Sequence, residues 1–156
     1  MALYLVDHAQ AHRAARVVDK EDFLGLVRTV NLRMVKVAIV GASGYTAIEA
    51  IKLLLRHPHA EIVAATSRQA DGSSLADMHP QFAHRTRLPV EDLSPQQIAE
   101  RCEVAFCCLP HGASATIVAQ LMAGPCKVID LSADYRLSTP ALYQKWYGDH
   151  HPDPGR

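Results

Sequence analysis

Residues 35–47 read VKVAIVGASGYTA, and this stretch decides the fold. Its first six residues are apolar except for one lysine, which predicts a buried strand of a parallel sheet. Gly41 and Gly44 end that strand. From Tyr45 to Arg56 an apolar residue recurs every three or four positions, which predicts an amphipathic helix. A strand, a glycine-rich turn and a helix in this order begin a βαβ unit.

The turn between that strand and that helix predicts a phosphate-binding loop. Its spacing is Gly-x-x-Gly-x-x-Ala, which differs from the commonest dinucleotide-binding spacing, Gly-x-Gly-x-x-Gly. Glycines let backbone N–H groups approach a pyrophosphate closely, and the helix that follows adds the positive end of its dipole. Ser43 and Thr46 can add hydroxyl donors. An ordinary strand–helix turn that uses glycine is the alternative.

Beyond this unit, strands and helices alternate along the chain. Further strands are predicted over 62–66, 104–109 and 127–131, and further helices over 94–101 and 114–122. Ser94 is the predicted N-cap of its helix, with Gln97 at the capping-box position. Residues 67–92 and the aromatic segment after Asp134 are predicted to be loops. The alternation predicts an α/β fold, a Rossmann-type doubly wound parallel sheet with flanking helices.

The end of the second strand favours NADP(H) over NAD(H). An NAD site places an acid about 20 residues after the loop, at the end of the second strand. Glu61 has that spacing, but it lies at the start of the strand, on the other edge of the sheet. The end of the strand reads Thr66-Ser67-Arg68, and an arginine can bind a 2′-phosphate through paired hydrogen bonds. A surface arginine without a ligand is the alternative.

Two more motifs follow strands at the edge where ligands bind in such sheets. The LPHG motif contains His111 and Gly112, and His111 could donate a hydrogen bond near the cofactor or could simply occupy a tight turn. The DLSADYR motif contains Ser132 and Arg136, which could bind a carboxylate or phosphate of the substrate. A salt bridge between Asp134 and Arg136 within the loop is the alternative.

Composition excludes several classes of partner. The 156 residues carry no formal net charge, which gives no electrostatic reason to expect nucleic acid or a membrane surface. There is no run of eighteen apolar residues, so no membrane span is expected. Four cysteines show neither a disulfide framework nor a zinc spacing, and we expect reduced thiols in the cytoplasm and no metal site. Cys107 and Cys108 are interpreted as small core residues.

The motifs, taken together and in order, resemble those of the N-acetyl-gamma-glutamyl-phosphate reductases of arginine biosynthesis. The resemblance covers residues 34–154 and rests on VKVAIVGASGYTAIEAIKLLLRHP at 35–58, TSR at 66–68, LPHG at 109–112, VIDLSADYRL at 128–137, KWYG at 145–148 and HHPDP at 150–154. LPHG and VIDLSADYRL distinguish it from the related aspartate-semialdehyde dehydrogenases. The resemblance implies an oxidoreductase that uses NADPH to reduce an acyl phosphate to a semialdehyde, after a cysteine thiolate has attacked the acyl phosphate.

The resemblance also implies which residues bind NADP(H). The cofactor's phosphates would be held by Gly41, Ser43, Gly44, Tyr45 and Thr46, its 2′-phosphate by Ser67 and Arg68, and its nicotinamide ribose would lie near His111 and Gly112. Ala47 stands where the family usually has glycine, which is a mild departure. The family's nucleophilic cysteine lies in a Gly-Cys-Tyr-Pro-Thr segment that this sequence does not contain, and its acid/base histidine follows that segment.

These observations predict the domain organisation. Residues 1–33 would be an N-terminal extension of unknown role, with Met34 as the natural start, or else an extra surface helix. Residues 34–150 would form the nucleotide-binding domain, and residues 151–156 would begin a catalytic domain that is absent. We therefore expect no activity from the chain alone. The alternatives are a standalone NADP(H)-binding module or sensor, a fragment of an aspartate-semialdehyde dehydrogenase-like enzyme, or a catalytic domain on a separate chain. An uncovered sheet edge would favour aggregation or a homo-oligomer.

Overall fold

The valine-rich strand β1, Val35–Val40, lies at the centre of a five-stranded parallel sheet in a computed structural model that describes residues 33–155. The sheet order is β3-β2-β1-β4-β5. The other strands are β2 (Ala60–Thr66), β3 (Val90–Glu91), β4 (Val104–Cys107) and β5 (Lys127–Asp130). The helices are α1 (Tyr45–Leu54), α2 (Leu75–Met78), α3 (Pro95–Arg101), α4 (Ser114–Met122) and α5 (Pro140–Tyr147), with a 3₁₀ turn at Pro80–Phe82. The prediction of a Rossmann-type doubly wound sheet is confirmed.

Alternation of side chains along β1 divides the core into two layers. Ala38 and Val40 belong to a buried cluster that also contains Ile98 of α3 and Val118 of α4. Val37 and Ile39 belong to the opposite cluster, in which they are buried with residues of α1, α2 and the 3₁₀ turn. Because successive side chains of a strand point to opposite faces, a continuous apolar strand requires cover on both faces. This explains why β1 has almost no polar positions.

The last residues of all five strands are aligned in one row across the sheet. Val40 is paired with Thr66 on one side and with Cys107 on the other. Thr66 is paired in turn with Glu91, and Cys107 with Asp130. Since the strands are parallel, the loops that follow them all leave the same edge of the sheet. We refer to this row and the loops beyond it as the carboxyl edge.

The sequence signals at the start of α3 predicted the position of this helix correctly. Ser94 is its N-cap, Pro95 is its first residue, and the reciprocal capping box between Ser94 and Gln97 is present, as predicted. The predicted strand boundaries needed small corrections, because β2 begins at Ala60 and β4 ends at Cys107. Among residues 33–155, no helix is long and apolar enough to cross a membrane.

Two segments predicted as loops contain regular structure. Within 67–92 the chain forms α2, the 3₁₀ turn and the short strand β3. The segment after Asp134 contains α5, which begins after the N-cap Thr139 and ends at Gly148, a glycine in the left-handed conformation (φ 80°). Threonine, then proline, then a terminal glycine are recognised helix boundary signals. The aromatic composition of α5 obscured them.

Candidate functional site

The phosphate loop begins at a position that only glycine can occupy. Gly41 has φ 85°, and a Cβ built there would lie 2.8 Å from Leu109 Cδ2 and 2.9 Å from the carbonyl oxygen of Cys108. The backbone nitrogens of Gly41 and Ala42 both donate to the carbonyl oxygen of Thr66, at 3.1 and 2.8 Å. The loop therefore lies between the carboxyl ends of β2 and β4, and contacts with both strand ends fix the conformation of its first turn.

The N-terminus of α1 opens from this loop without a side-chain cap. Its N-cap is Gly44, and the first turn contains no acidic residue. The first hydrogen bond at this end of the helix runs from the nitrogen of Ile48 to the carbonyl oxygen of Gly44, at 3.1 Å. The N–H groups of the first turn consequently have no helical acceptor, and they carry the positive end of the dipole. This arrangement suits an anion.

The side chains of the phosphate loop lie on its outer surface. Ser43, Tyr45 and Thr46 are exposed, and Tyr45 exposes 89% of its surface. Ala47, in contrast, is fully buried in the layer between α1 and the sheet. The structure thus leaves the side chains of the predicted phosphate-binding residues Ser43, Tyr45 and Thr46 accessible, and it places the small residue at the helix–sheet contact.

The Thr66-Ser67-Arg68 segment lies directly beside the phosphate loop. Thr66 and Ser67 are buried, whereas Arg68 is exposed. The Ser67 hydroxyl accepts a hydrogen bond from the backbone nitrogen of Gln69 at 3.2 Å. Within residues 33–155, no carboxylate forms an ion pair with Arg68, and Glu91, whose carbonyl oxygen accepts from the backbone nitrogen of Ser67, is itself paired with Arg101 at 2.8 Å. The guanidinium at this end of β2 therefore has no acidic partner in the described part of the chain.

The acid with the spacing of an NAD site lies on the opposite edge of the sheet. Glu61 is paired in register with Lys36, near the start of β1. The carboxyl end of β2 instead carries Thr66, which lies six residues after Ala60, the register partner of Val35. The prediction that Glu61 lies at the start of β2, away from the carboxyl edge, is confirmed.

The LPHG motif forms the loop between β4 and α4. His111 is exposed and stacks on Tyr147 of α5, with ring centroids 6.2 Å apart. The backbone nitrogen of Gly112 donates to Asp134 Oδ1 at 2.7 Å. The N–H group of Gly112 is thus already engaged, which leaves its exposed Cα and the His111 ring as the surfaces that this loop offers to a ligand.

Asp134 is a fully buried carboxylate that holds the N-terminus of α4. Its Oδ2 accepts from the backbone nitrogen of Ala115 at 2.9 Å, and the hydroxyl of Tyr143, from α5, donates to its Oδ1 at 3.3 Å. Burial and the neighbouring Asp134 carboxylate raise the pKa of the Tyr143 hydroxyl, so that this group stays a donor. Arg136 instead donates to the carbonyl oxygen of Ser132, at 3.0 Å. The alternative prediction of a salt bridge between Asp134 and Arg136 is therefore wrong, because backbone amides provide the hydrogen bonds to the carboxylate.

The Ser132 hydroxyl connects the carboxylate of Asp130 with the backbone of Asp134. Its hydroxyl donates to Asp130 Oδ2 at 2.8 Å and accepts from the backbone nitrogen of Asp134 at 3.1 Å. Ser114 donates to the other oxygen of Asp130 at 2.9 Å. The side chain of Ser132 is buried and engaged in both directions, whereas the side chain of Arg136 lies at the exposed surface of the same loop.

The four cysteines are free and buried, as the sequence predicted for Cys107 and Cys108. Burial raises the pKa of Cys102 and of Cys107 to about 12 and that of Cys108 to about 11; at Cys107 and Cys108 the nearby Asp130 carboxylate adds to the effect. Among residues 33–155, no three His, Cys, Asp or Glu side chains are grouped as a metal site would require.

One residue at the carboxyl edge was not found by sequence reasoning. His79 lies in the segment between β2 and β3, and its Nε2 lies 2.7 Å from the carbonyl oxygen of Ala42 in the phosphate loop. The two residues are 37 positions apart, so no local pattern could have connected them.

Comparisons with known proteins agree with this architecture. Residues 36–150 match the family described as semialdehyde dehydrogenase, NAD binding domain. The N-acetyl-gamma-glutamyl-phosphate reductase of Rhodopirellula baltica is 51% identical over 121 residues, which are 78% of this chain and 35% of that protein. The enzyme of the same name from Desulfotalea psychrophila is 46% identical over 117 residues, which are 75% of this chain and 34% of that protein. The chain thus spans about a third of the length of the curated relatives it matches.

A solved structure shares the fold. Aspartate semialdehyde dehydrogenase with NADP from Candida albicans superposes with a TM-score of 0.59 over 69% of this chain and 32% of that one, at 23% identity. At that identity the likeness concerns the fold only.

Proposed function

Since the chain belongs to the semialdehyde dehydrogenase NAD-binding domain family, we propose that its residues 34–150 bind NADP(H) for an N-acetyl-gamma-glutamyl-phosphate reductase. Such an enzyme, an oxidoreductase, reduces an acyl phosphate to a semialdehyde in arginine biosynthesis. The observation that carries the proposal is the uncapped N-terminus of α1, placed by Gly41 at the carboxyl edge of the sheet. Residues 1–33 are then an extension, and residues 151–156 begin the catalytic domain.

The phosphate loop suits the pyrophosphate of the cofactor. A side chain at Gly41 would clash with Cys108 and Leu109, just after β4, and the N-cap Gly44 carries no side chain that could cap the first turn of α1. The amides of this turn, with the exposed hydroxyls of Ser43 and Thr46, would hold the phosphate oxygens. Tyr45 lies beside them at the surface and would cover the same group.

The 2′-phosphate of NADP(H) would bind at Arg68 and Ser67. The Arg68 guanidinium, which forms no ion pair within residues 33–155, provides the charge beside the phosphate loop, and the neighbouring Glu91 is neutralised by Arg101 at 2.8 Å. A charge-assisted hydrogen bond contributes about 1.5–3 kcal/mol, which is about one to two decades in affinity. NADPH should therefore bind more tightly than NADH.

The other half of the carboxyl edge would receive the nicotinamide and the substrate. His111 and Gly112 would lie near the nicotinamide ribose, where the stacked His111 ring offers a donor. Arg136 would bind a carboxylate or phosphate of the substrate, and Ser132 would hold the loop that carries it. Bound NADPH supplies the hydride for the reduction.

The nucleophile of this chemistry is none of the four cysteines. All four are buried, and Cys102, Cys107 and Cys108, whose pKa values are raised to 11 or above, are almost entirely protonated near neutral pH. The chain by itself would bind the cofactor without reducing acyl phosphates. Free, buried thiols also support a reducing compartment, the cytoplasm.

The outer strand β5 leaves apolar side chains exposed, which supports the packing of a further domain or of a second copy of the chain against it. Ile129 and Leu131, at and just after this strand, expose 41% and 36% of their surface. An uncovered apolar edge strand is prone to pair with another chain. A homo-oligomer or the catalytic domain would bury it.

A nucleotide titration tests the proposal. The 156-residue chain would be titrated with NADPH and separately with NADH, and the fluorescence of each nucleotide would be followed. Saturable binding with NADPH preferred by tenfold or more would support the assignment. Absence of binding by either nucleotide, from a chain shown to be folded by circular dichroism, would overturn it.

A further inference from the structure

His79 is buried and contacts the phosphate loop from a distant part of the chain. It exposes 7% of its surface, and its ring packs edge-on against Phe82, with centroids 6.0 Å apart. Its Nε2 lies 2.7 Å from the carbonyl oxygen of Ala42, and this oxygen can only accept. His79 must therefore carry a proton on Nε2, which both the corresponding neutral tautomer and the imidazolium provide.

The position of His79 is held by the elements around it. The α2 helix that precedes it has a reciprocal capping box between Ser74 and Asp77. The backbone nitrogen of His79 donates to the carbonyl oxygen of Leu75 at 2.9 Å, and the nitrogen of Leu75 donates to the carbonyl oxygen of Leu88 at 2.8 Å. The imidazole is thus presented to the loop by an anchored backbone.

The hydrogen bond to Ala42 also determines the direction of the next amide. Ala42 is fully buried, and its own nitrogen is bound to the carbonyl oxygen of Thr66. The described residues contain no cis peptide, so the Ala42–Ser43 peptide is planar and trans. In a trans peptide the C=O and N–H bonds point in opposite directions. With the Ala42 carbonyl directed at His79, the N–H of Ser43 points away from His79, and Ser43 itself is exposed.

We propose that His79 is a positioning residue for dinucleotide binding, because it holds the Ala42–Ser43 peptide with its N–H directed at the pyrophosphate. This inference rests on the proposed binding of NADP(H). Without the imidazole donor the peptide can rotate, and it would then present the carbonyl oxygen of Ala42 to the phosphate oxygens. Two acceptors facing each other repel, so affinity for the pyrophosphate falls.

The test compares two nucleotides on three variants of the 156-residue chain. NADPH carries a pyrophosphate, whereas 2′-AMP carries only the 2′-phosphate and the adenosine. His79→Leu removes the donor, His79→Gln restores an N–H near the position of Nε2, and His84→Leu changes an exposed histidine of the same segment as a control. Dissociation constants for NADPH come from fluorescence, and those for 2′-AMP come from its competition with NADPH.

The proposal expects His79→Leu to weaken NADPH binding about tenfold, which corresponds to about 1.4 kcal/mol. His79→Gln should stay within about threefold of the unchanged chain, as expected for one restored neutral hydrogen bond. Binding of 2′-AMP, after correction for the altered NADPH affinity, should be unchanged in all variants. If His79 had a purely structural role, its loss would instead weaken the binding of both nucleotides in parallel, and His79→Gln would not restore binding.

Three results would overturn the proposal. Unaltered NADPH affinity in His79→Leu would mean that the imidazole donor is not needed for binding. A parallel loss of affinity for NADPH and 2′-AMP would also refute the proposal. If His79→Leu does not fold, His79→Asn replaces it, because the asparagine amide is too short to reach Ala42. Equal NADPH affinity of His79→Asn and His79→Gln would then refute the proposal. Failure of the unchanged chain to bind NADPH would instead overturn the proposed function itself, together with this inference.

Discussion

Asp134 Oδ1 lies 2.7 Å from the backbone nitrogen of Gly112, and this hydrogen bond joins the loop after β5 to the loop after β4. The two residues are 22 positions apart. Because the other carboxylate oxygen binds the nitrogen of Ala115, a side chain from one loop caps the helix that begins in another. The loop that presents His111 is therefore shaped by a residue that has no access to a ligand.

Replacing Asp134 with alanine should lower the free energy of unfolding by about 2–5 kcal/mol, because each buried amide left without an acceptor costs about 1–3 kcal/mol. Two amides lose their acceptor, the buried one of Ala115 and the partly buried one of Gly112. Urea denaturation followed by circular dichroism measures the change. Asp92→Ala, at an exposed position, should change it by less than about 0.5 kcal/mol. Equal stability of the two variants would contradict the capping role.

The two loop glycines should respond differently to alanine. Gly41→Ala forces a Cβ to within 2.8 Å of Leu109 in a left-handed conformation, so we expect severe destabilisation together with loss of NADPH binding. Gly44 has φ −81°, and its nearest contact to an added Cβ would be 3.5 Å. Gly44→Ala should fold with a loss of about 1 kcal/mol or less, yet bind NADPH more weakly because the methyl group obstructs the phosphate. Thermal denaturation and nucleotide titration separate the two effects. Normal folding of Gly41→Ala would argue against the observed turn.

Arg68→Ala should raise the dissociation constant for NADPH about 10- to 100-fold through loss of a charge-assisted hydrogen bond. The constant for NADH should be unchanged, since NADH has no 2′-phosphate. Fluorescence titration of both nucleotides provides the measurement, and Arg56→Ala, another exposed arginine, is the matched control. An equal loss for both nucleotides would mean that Arg68 does not recognise the 2′-phosphate.

The buried thiols should react slowly until the solution is strongly alkaline. With the pKa of Cys108 near 11 and those of Cys102 and Cys107 near 12, the thiolate fraction at pH 8 is about one in a thousand or less. Alkylation by iodoacetamide, located by peptide mass spectrometry, should be rapid at pH 8 only in the denatured chain. Fast modification of any of these three in the folded chain at pH 7.5 would contradict both the burial and the raised pKa.

The same pKa values predict how stability depends on pH. An unfolded thiol ionises near pH 9.0, whereas these folded thiols keep their protons until pH 11–12. Between those values the unfolded state releases more protons, so the free energy of unfolding should fall as pH rises from about 9. Urea titrations at pH 8, 9 and 10 test this. Cys107→Ala should reduce the pH dependence, and an unchanged slope would locate its origin elsewhere.

The elements whose signals are local could be predicted from the sequence. The apolar run of β1, the glycines that follow it and the helical stripe of α1 together predicted a βαβ unit, and the capping box of α3 was visible at Ser94 and Gln97. Each of these depends on neighbours a few positions away. The helix α5 carried comparable signals at Thr139 and Gly148, and it was missed because its composition resembles that of a loop.

By itself, the sequence determined the fold class, the position of the phosphate loop and the arginine after β2. Only the tertiary structure decided which partners complete the site: His79 on the carbonyl of Ala42 and Asp134 on the amide of Gly112. It also showed that Cys102 and Cys126 are buried. The physical reason is that periodicity and turn chemistry act over a few residues, whereas a buried donor is satisfied by whichever acceptor the packed sheet brings near it.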